Sequence, residues 1–284
     1  MGAVLLALVA AAFFGAMPVA VRFALAYPLP VALGTLLLQT ATLAVLVVAA
    51  AIQGGVTLHG IVPFVLAGIV APGASQLFIT TGIREAGSSR ASVAFGTAPL
   101  FAVVLAVVAF DESPSAGVVV GACLIVGGGV TLAFEKDRPE HLRRIGIAYA
   151  LAGAALFALR DNLVRHLSLD THVPSMTAGA STLASAILVT ALVTAVRRDF
   201  VRPSGAAAVR WLLPGALVGV AYVALFLAFY RGTVSVVAPI VGTESLFGVA
   251  FSALFLHQTE RVGPRLVVGA ALVVSGGVLI GIFR

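Results

Sequence analysis

Glu244 is the strongest candidate for a functional residue in this sequence, because it is the only charged residue between Arg231 and His257. A carboxylate in such an apolar stretch can bind a proton or pair with a cationic group such as an amine. A second charge, Arg160, also lies in an apolar stretch, where its forked donors can hold a carboxylate. The alternative is a buried ion pair between Glu244 and Arg160 that only fixes helix packing.

Other polar and aromatic side chains are predicted to share a cavity with these charges. The amide of Gln76 needs hydrogen-bond partners wherever water is absent, so it either lines the cavity or joins two helices. Tyr222, Phe226 and Tyr230 repeat at four-residue spacing, which is typical of packing or of a membrane belt as well as of a ligand wall. The predicted cavity residues are Glu244, Gln76, Arg160, Tyr222, Phe226, Tyr230, Thr243 and Ser245.

The elements that position these residues follow from the composition. Of 284 residues, 61% are hydrophobic and 10% are charged, and the mean hydropathy is +1.13, whereas soluble domains have roughly 45–50% apolar and 25% charged residues. The chain is therefore an integral membrane protein. Its apolar runs suit helices of about 20 residues, which cross a hydrocarbon core, and they lack the alternation of a membrane barrel. We predict an all-α fold with ten transmembrane helices, over residues 3–26, 30–52, 61–81, 88–110, 115–134, 145–166, 174–196, 209–230, 234–256 and 264–283.

Proline and glycine are predicted to interrupt two of these spans. Pro72 and Gly73 lie in the third span, and Pro239 and Gly242 lie in the ninth. Proline removes a backbone donor, and glycine loosens the helix. The polar backbone groups of a broken helix are tolerated only where they are buried in protein or line a cavity. These four residues are therefore expected to bend the helices beside the cavity.

The charges indicate orientation and partners. The net charge is +6, and most basic residues lie in the loops that follow odd-numbered spans. The positive-inside rule then places these loops in the cytoplasm and both termini outside. The basic loops are explained by topology and by contact with anionic lipid, and no nucleic-acid partner is predicted. Cys123 is the single cysteine and lies within a span, so neither a disulfide, a metal site nor a cofactor is predicted.

The chain contains an internal repeat. Residues 121–130 match residues 269–278 at a shift of 148 residues, and residues 11–22 match residues 154–165 at a shift of 143. Chance similarity between apolar segments is the alternative explanation. The glycines of the fifth and tenth spans are predicted to form packing or dimer surfaces, because small residues let helices approach closely.

The repeat divides the chain into two halves, residues 1–140 and 141–284, with five predicted spans in each. An odd number of spans forces the second half to enter the membrane upside down relative to the first. Many secondary transporters are built from such inverted repeats.

The sequence disfavours an enzyme. Its five histidines are scattered near the predicted membrane edges without the spacing of metal ligands, and no Gly-x-Ser-x-Gly motif is present. An intramembrane protease, with a serine and a histidine facing each other at depth, is the enzyme alternative that the sequence leaves open.

Several short motifs resemble the drug/metabolite transporter superfamily, and within it the ten-helix EamA-like transporters. They are Phe-Phe-Gly-Ala-Met-Pro in the first span, Ala98-Pro99-Leu100 in the fourth, the acidic residues Glu112 and Glu260, and the Gly-Ala-x-Leu-Ile-Val-x-Gly-Gly stretch that closes the first half. The resemblance covers the whole chain. It implies ten helices in two inverted halves around a central cavity, which works by alternating access. It also implies termini inside the cell, the opposite of the orientation that the charge bias predicts.

The resemblance implies an exporter of amino acids or other small metabolites in the plasma membrane of a bacterium. The predicted partners are a small-molecule substrate, membrane lipid and, as the candidate coupling ion, a proton that Glu244 could bind; the predicted assembly is a monomer or a homodimer. A flippase for a lipid-linked substrate and an uptake permease are the alternative functions, whereas a channel would need polar pore rings that the sequence lacks.

Overall fold

The computed structural model of the chain describes residues 2–54, 58–98, 100–101, 104–105, 115–133, 143–167, 173–231, 240–258 and 263–283, with the backbone alone at 129–130, 132–133, 161–167 and 229–230. Its longer helices are α1 (Gly2–Ala24), α2 (Val31–Ile52), α3 (Val62–Gly68), α4 (Ser75–Ala86), α5 (Ser88–Phe95), α6 (Ala116–Ala133), α7 (Ile145–Leu167), α8 (Ser175–Val196), α9 (Gly205–Arg231), α10 (Glu244–Phe255) and α11 (Pro264–Phe283).

The structure confirms that the chain forms long apolar helices, as the predicted membrane fold requires. Within the described ranges, six helical segments are long and apolar enough to cross a membrane: α1, α2, the continuous segment from α3 to α4, α8, α9 and α11. Shorter apolar helices occupy Ala116–Gly128, Ile145–Arg160 and Glu244–Phe255. Membrane crossing by all ten predicted spans stays a prediction.

The third predicted span is a helix that is interrupted in its middle. Residues Ile69–Ala74 join α3 to α4 in a widened turn, and Ala71 has φ −145° and ψ 128°, which is extended backbone. Pro72 follows directly and has no N–H to donate to the helix. Its carbonyl oxygen accepts a hydrogen bond from the Ser75 N–H and a second one from Gln39 Nε2 at 2.9 Å, so the side chain of Gln39 ties α2 to the interrupted segment.

Helices from the two halves of the chain pack against each other in corresponding pairs. In the repeat, α1 corresponds to α7, and the α3–α4 segment corresponds to α9. Accordingly α1 packs on α9, and α7 packs on α4. Three other contacts join corresponding helices directly: α2 with α8, α5 with α10, and α6 with α11. The core therefore lies between the halves.

The contact between α6 and α11 shows how the corresponding helices are oriented. A Cβ atom on Gly121 would lie 2.7 Å from the carbonyl oxygen of Gly276, and one on Gly128 would lie 2.7 Å from that of Gly269. The earlier residue of one helix thus contacts the later residue of the other, so the helices are antiparallel. The glycine surfaces face each other within the chain, with backbone against backbone.

A second close crossing holds α2 against α9. A Cβ atom on Gly34 would lie 2.5 Å from the indole ring of Trp211, which is fully buried. About two turns further along α2, the Thr42 hydroxyl donates to the carbonyl oxygen of Gly215 at 2.9 Å. A hydroxyl that binds a backbone carbonyl across two helices replaces the water that hydrocarbon excludes.

Candidate functional site

A cavity of about 220 Å³ lies between the two halves. It is enclosed by α1, α4, α5, α7, α9 and the chain on either side of the start of α10, so both halves contribute to its wall. Most of its lining is apolar. The described polar or charged side chains that line it are Gln76, Ser92, Arg160, Tyr222 and Glu244.

Glu244 reaches the cavity because the ninth span is broken there. The chain turns at Gly242 and Thr243, and Glu244 is the first residue of α10. The backbone at this point lies against α1, since a Cβ atom on Gly15 would lie 2.7 Å from the Glu244 carbonyl oxygen. Only glycine at position 15 allows this approach. The carboxylate is therefore on the side of the cavity that α1 and α10 form.

Arg160 lies on the side of the cavity that α5 and α7 form. Its guanidinium carbon is 4.9 Å from the ring centroid of Phe157, one turn earlier in α7. Phe157 meets Phe95 of α5 edge to face, with centroids 5.2 Å apart. A guanidinium over an aromatic face gains on the order of 1 kcal/mol, and more when it is desolvated. The two rings thus support the guanidinium at the cavity wall.

The two opposite charges share the cavity without contacting each other. The ion pairs among the described residues join Arg84 and Arg143 to Glu85, at 2.9 and 3.5 Å, and an Arg160–Glu244 pair is not among them. A cavity with a cation on one wall and an anion on another is suited to a ligand that has both charges.

Gln76 and Tyr222, two of the residues that the sequence analysis assigned to a cavity, also line this one. Gln76 is 4% exposed, and no hydrogen bond from its Nε2 to a described residue is present. The ring of Tyr222 meets that of Phe14 edge to face at 5.5 Å. Phe226 stacks on Tyr222 at 5.8 Å and is not part of the lining. The aromatic stripe therefore divides into one lining residue and one packing residue, and the side chain of Tyr230 lies outside the described part.

The hydroxyl groups beside Glu244 point into protein. Thr243 donates to the Ile240 carbonyl oxygen at 2.6 Å, and buried Ser245 donates to the Ser92 carbonyl oxygen at 3.1 Å. Neither side chain lines the cavity. Of the predicted bending residues, Gly242 lines the cavity, Pro72 and Gly73 are buried in the interrupted third span, and Pro239 lies outside the described residues.

A pair of turns on the cavity wall was not among the predictions. Residues 96–101 and 242–247 share the pattern Gly-Thr-x-x-Leu-Phe at a shift of 146 residues. In both copies the chain turns at the Gly-Thr pair, and the threonine hydroxyl donates three residues back: Thr97 to Ala94 at 2.7 Å and Thr243 to Ile240 at 2.6 Å. This repeated pattern is the signal that would have located them.

The two turns lie against each other. A Cβ atom on Gly96 would overlap the Ser245 hydroxyl oxygen, and Ser245 donates to the carbonyl oxygen of Ser92, one turn before Gly96. The fourth and ninth spans are therefore both interrupted at the place where they meet, next to the cavity.

Replacing Thr243 with valine is expected to lower the free energy of unfolding by about 1 kcal/mol, the usual value of one such hydrogen bond. Thr97→Val should behave in the same way, because the Thr97 hydroxyl donates to the equivalent carbonyl oxygen in the first half, that of Ala94. Thermal unfolding of the purified protein in detergent measures the loss. Thr40→Val is the matched control, since that hydroxyl donates to Leu36 on a regular, exposed helix surface. Equal midpoints for the Thr243 and Thr40 variants would contradict a special role for the turn.

Comparison with known proteins follows the same two-part pattern. A model of the EamA-like transporter family matches residues 1–134 and 144–282. The comparison with curated proteins gave no match. Among solved structures, a chain described as "Crystal structure of protein" has a TM-score of 0.69 and 20% sequence identity to this chain, over 98% of this chain and 95% of its own length. At that identity the likeness shows a common fold.

The family match spans nearly the whole chain and divides where the two halves meet. It agrees with the interleaved contacts of corresponding helices and with the long apolar helices. The sequence-based resemblance is thereby confirmed: this chain belongs to the EamA-like transporter family, whose members are multi-pass membrane transporters.

Proposed function

We propose that the protein is a secondary active transporter that exports small zwitterionic metabolites, such as amino acids, across the bacterial plasma membrane by alternating access. The observation that supports this function best is the separation of charges in one cavity. Glu244 and Arg160 line the same space of about 220 Å³ and do not pair with each other.

In this proposal the ammonium group of the substrate lies beside Glu244 and its carboxylate beside Arg160. A guanidinium can hold a carboxylate through two parallel hydrogen bonds, which fixes the orientation of the ligand. The rest of the substrate lies against the apolar lining, which includes the rings of Phe14, Phe157 and Tyr222. A carboxylate such as Glu244 costs about 2.5–3.5 kcal/mol in hydrocarbon on insertion scales, and the ammonium group of such a ligand would offset part of that cost.

Alternating access requires helices that can bend beside the substrate. The Gly-Thr turns interrupt the fourth and ninth spans, and the widened turn at Ile69–Ala74 interrupts the third. Interrupted helices at the interface of two repeats are a common arrangement in secondary transporters. We take these turns as the positions where the two halves move relative to each other.

Transport by purified protein in liposomes tests the proposal. The probes are leucine, its decarboxylated analogue isoamylamine and its deaminated analogue isocaproate, each with and without a pH gradient and a membrane potential. We expect leucine to exchange at least about tenfold faster than either analogue, because each analogue loses one charge-assisted contact worth about 1.5 kcal/mol or more.

The other outcomes of this assay would decide the substrate class, the coupling ion and the direction of transport. Equal rates for the three probes, or none, would contradict a zwitterion carrier, and scrambling of a labelled lipid by the same vesicles would favour the flippase. Dependence on the pH gradient would make a proton the coupling ion. Net flux out of right-side-out cells that overproduce the protein tests export, and net accumulation would favour the uptake permease.

A further inference from the structure

The helix α4 turns one face toward the cavity. Gln76, Ile79 and Ile83 line the cavity, and their spacing of three and four residues places them on the same face of the helix. Two other polar residues of α4, Ser75 and Thr80, are buried and do not line the cavity. Gln76 is therefore the one polar side chain through which α4 contributes to the cavity wall.

The amide of Gln76 makes no hydrogen bond to the part of the chain that the structure describes. The residue is 4% exposed, its Nε2 atom is buried without a partner, and no bond to its Oε1 atom is present either. A side-chain amide has two N–H donors and an acceptor oxygen. Burying it without partners destabilises a fold, so a buried amide of this kind calls for an explanation.

Two other uncharged polar side chains show what a satisfied group looks like in this protein. Gln39 of α2 is fully buried and outside the cavity lining, and its Nε2 donates to the Pro72 carbonyl oxygen at 2.9 Å. Ser92 lines the cavity, and its hydroxyl donates to the Ser88 carbonyl oxygen at 2.8 Å. Gln39 thus joins two helices, whereas the amide of Gln76 joins none.

The wall beside Gln76 is apolar. A Cβ atom on Gly153 would lie 2.6 Å from Ile79 Cγ1, so α7 packs directly against this part of α4. One turn later in α7, Phe157 also lines the cavity. The next charged residue of α4 is Arg84, more than two turns beyond Gln76. On α4 the amide is thus a single neutral hydrogen-bonding group in an apolar surface, which suits an uncharged polar group of a ligand.

We propose that Gln76 is a hydrogen-bonding subsite that selects substrates with an uncharged polar side chain, such as a carboxamide or a hydroxyl group. Groups of this kind donate and accept at once, so they can use both kinds of atom of the amide. An apolar analogue would leave the amide unpaired, which is how a polar site rejects such a ligand. That the bound group is a side chain rests on the proposed function, in which the charged ends of the ligand are bound elsewhere in the cavity.

Transport of two amino acids of equal shape tests the selection. The side chains of asparagine and leucine have the same branching, and they differ in polarity. Exchange of each is measured in liposomes well below saturation, for wild type and for Gln76→Met. We expect the ratio of asparagine to leucine rates to be at least about fivefold lower in the variant, the factor that one net hydrogen bond contributes. Comparing the ratios removes the intrinsic difference in hydration between the two probes.

Gln39→Met is the matched control, because it makes the same replacement of a buried glutamine outside the cavity lining. It should keep the asparagine-to-leucine ratio of wild type. An unchanged ratio in Gln76→Met would overturn the proposal. An equal fall of the ratio in both variants would also overturn it, because the preference would then depend on helix packing and not on a contact with Gln76.

Thermal unfolding in detergent tests the unpaired amide without a substrate. Gln76→Met should leave the midpoint unchanged or raise it, because methionine fills the space without an unpaired polar group. Thr42→Val is the reference for a polar side chain that joins helices, since fully buried Thr42 donates to the Gly215 carbonyl oxygen. Its midpoint should fall by about 2 °C or more.

The unfolding data also separate this inference from the proposed function. A midpoint of Gln76→Met that falls as far as that of Thr42→Val would assign Gln76 to helix packing, and the proposal would be wrong. If wild type moves neither amino acid but Gln76→Met is at least as stable as wild type, the proposed zwitterion carrier fails and the hydrogen-bonding subsite stands.

Discussion

Gly121→Val is expected to lower the free energy of unfolding by about 3 kcal/mol or more, or to prevent the protein from accumulating in the membrane. Overpacking of a close contact costs typically about 1–3 kcal/mol, and more where the obstruction cannot move. Here a Cβ atom would lie 2.7 Å from the Gly276 carbonyl oxygen, a backbone atom that no rotamer change can displace. The helices α6 and α11 would have to separate along their whole contact.

The control lies on the same helix. A Cβ atom on Gly127 would meet nothing within 4 Å. Gly127→Val therefore introduces the same side chain into the same helix without the collision. Gly276→Val should match Gly121→Val, since its Cβ would collide with the Gly121 carbonyl oxygen. Thermal unfolding and size-exclusion profiles in detergent measure the effect. If the Gly121 and Gly127 variants have equal midpoints, the backbone contact between the halves contributes no stability.

The same glycines show what a repeat in the sequence can and cannot predict. The shift of 148 residues aligns Gly121 with Gly269, and this correspondence was visible without a structure. The contact is instead between Gly121 and Gly276. The two helices are antiparallel, so the first glycine of one segment lies against the last glycine of the other. The pattern therefore predicted close packing of small residues but not its register, and it left open whether a second copy of the chain supplied the partner surface.

The direction of individual side chains was the other limit. Glu244, Thr243 and Ser245 are adjacent in a polar stretch, and all three were predicted to line the cavity. Successive residues on a helix point about 100° apart, so at most a part of such a stretch can face one way. Only the position of the break, at Gly242 and Thr243, decides that the carboxylate faces the cavity and that Ser245 binds the Ser92 carbonyl oxygen. A break of this kind is set by contact with the corresponding turn of the other half.

Glu244→Gln is expected to reduce the rate of leucine exchange on the order of 100-fold at substrate concentrations well below saturation. The amide keeps the shape of the side chain and removes its negative charge. Loss of one partner from a buried charge pair costs about 2–5 kcal/mol, because the other charge is left without compensation. In this case the uncompensated charge would be the ammonium group of the substrate.

Two single variants and two truncated probes together separate a binding role from a folding role. If Glu244 contacts the ammonium group, Glu244→Gln should weaken competition by isoamylamine and leave competition by isocaproate nearly unchanged. If Arg160 contacts the carboxylate, Arg160→Met should have the reverse effect. A defect in folding or in helix packing would instead weaken both probes in both variants, because neither probe could then find an intact cavity. Such a uniform loss would reassign Glu244 and Arg160 to packing, whereas the crossed pattern requires that each charge binds its own end of the ligand.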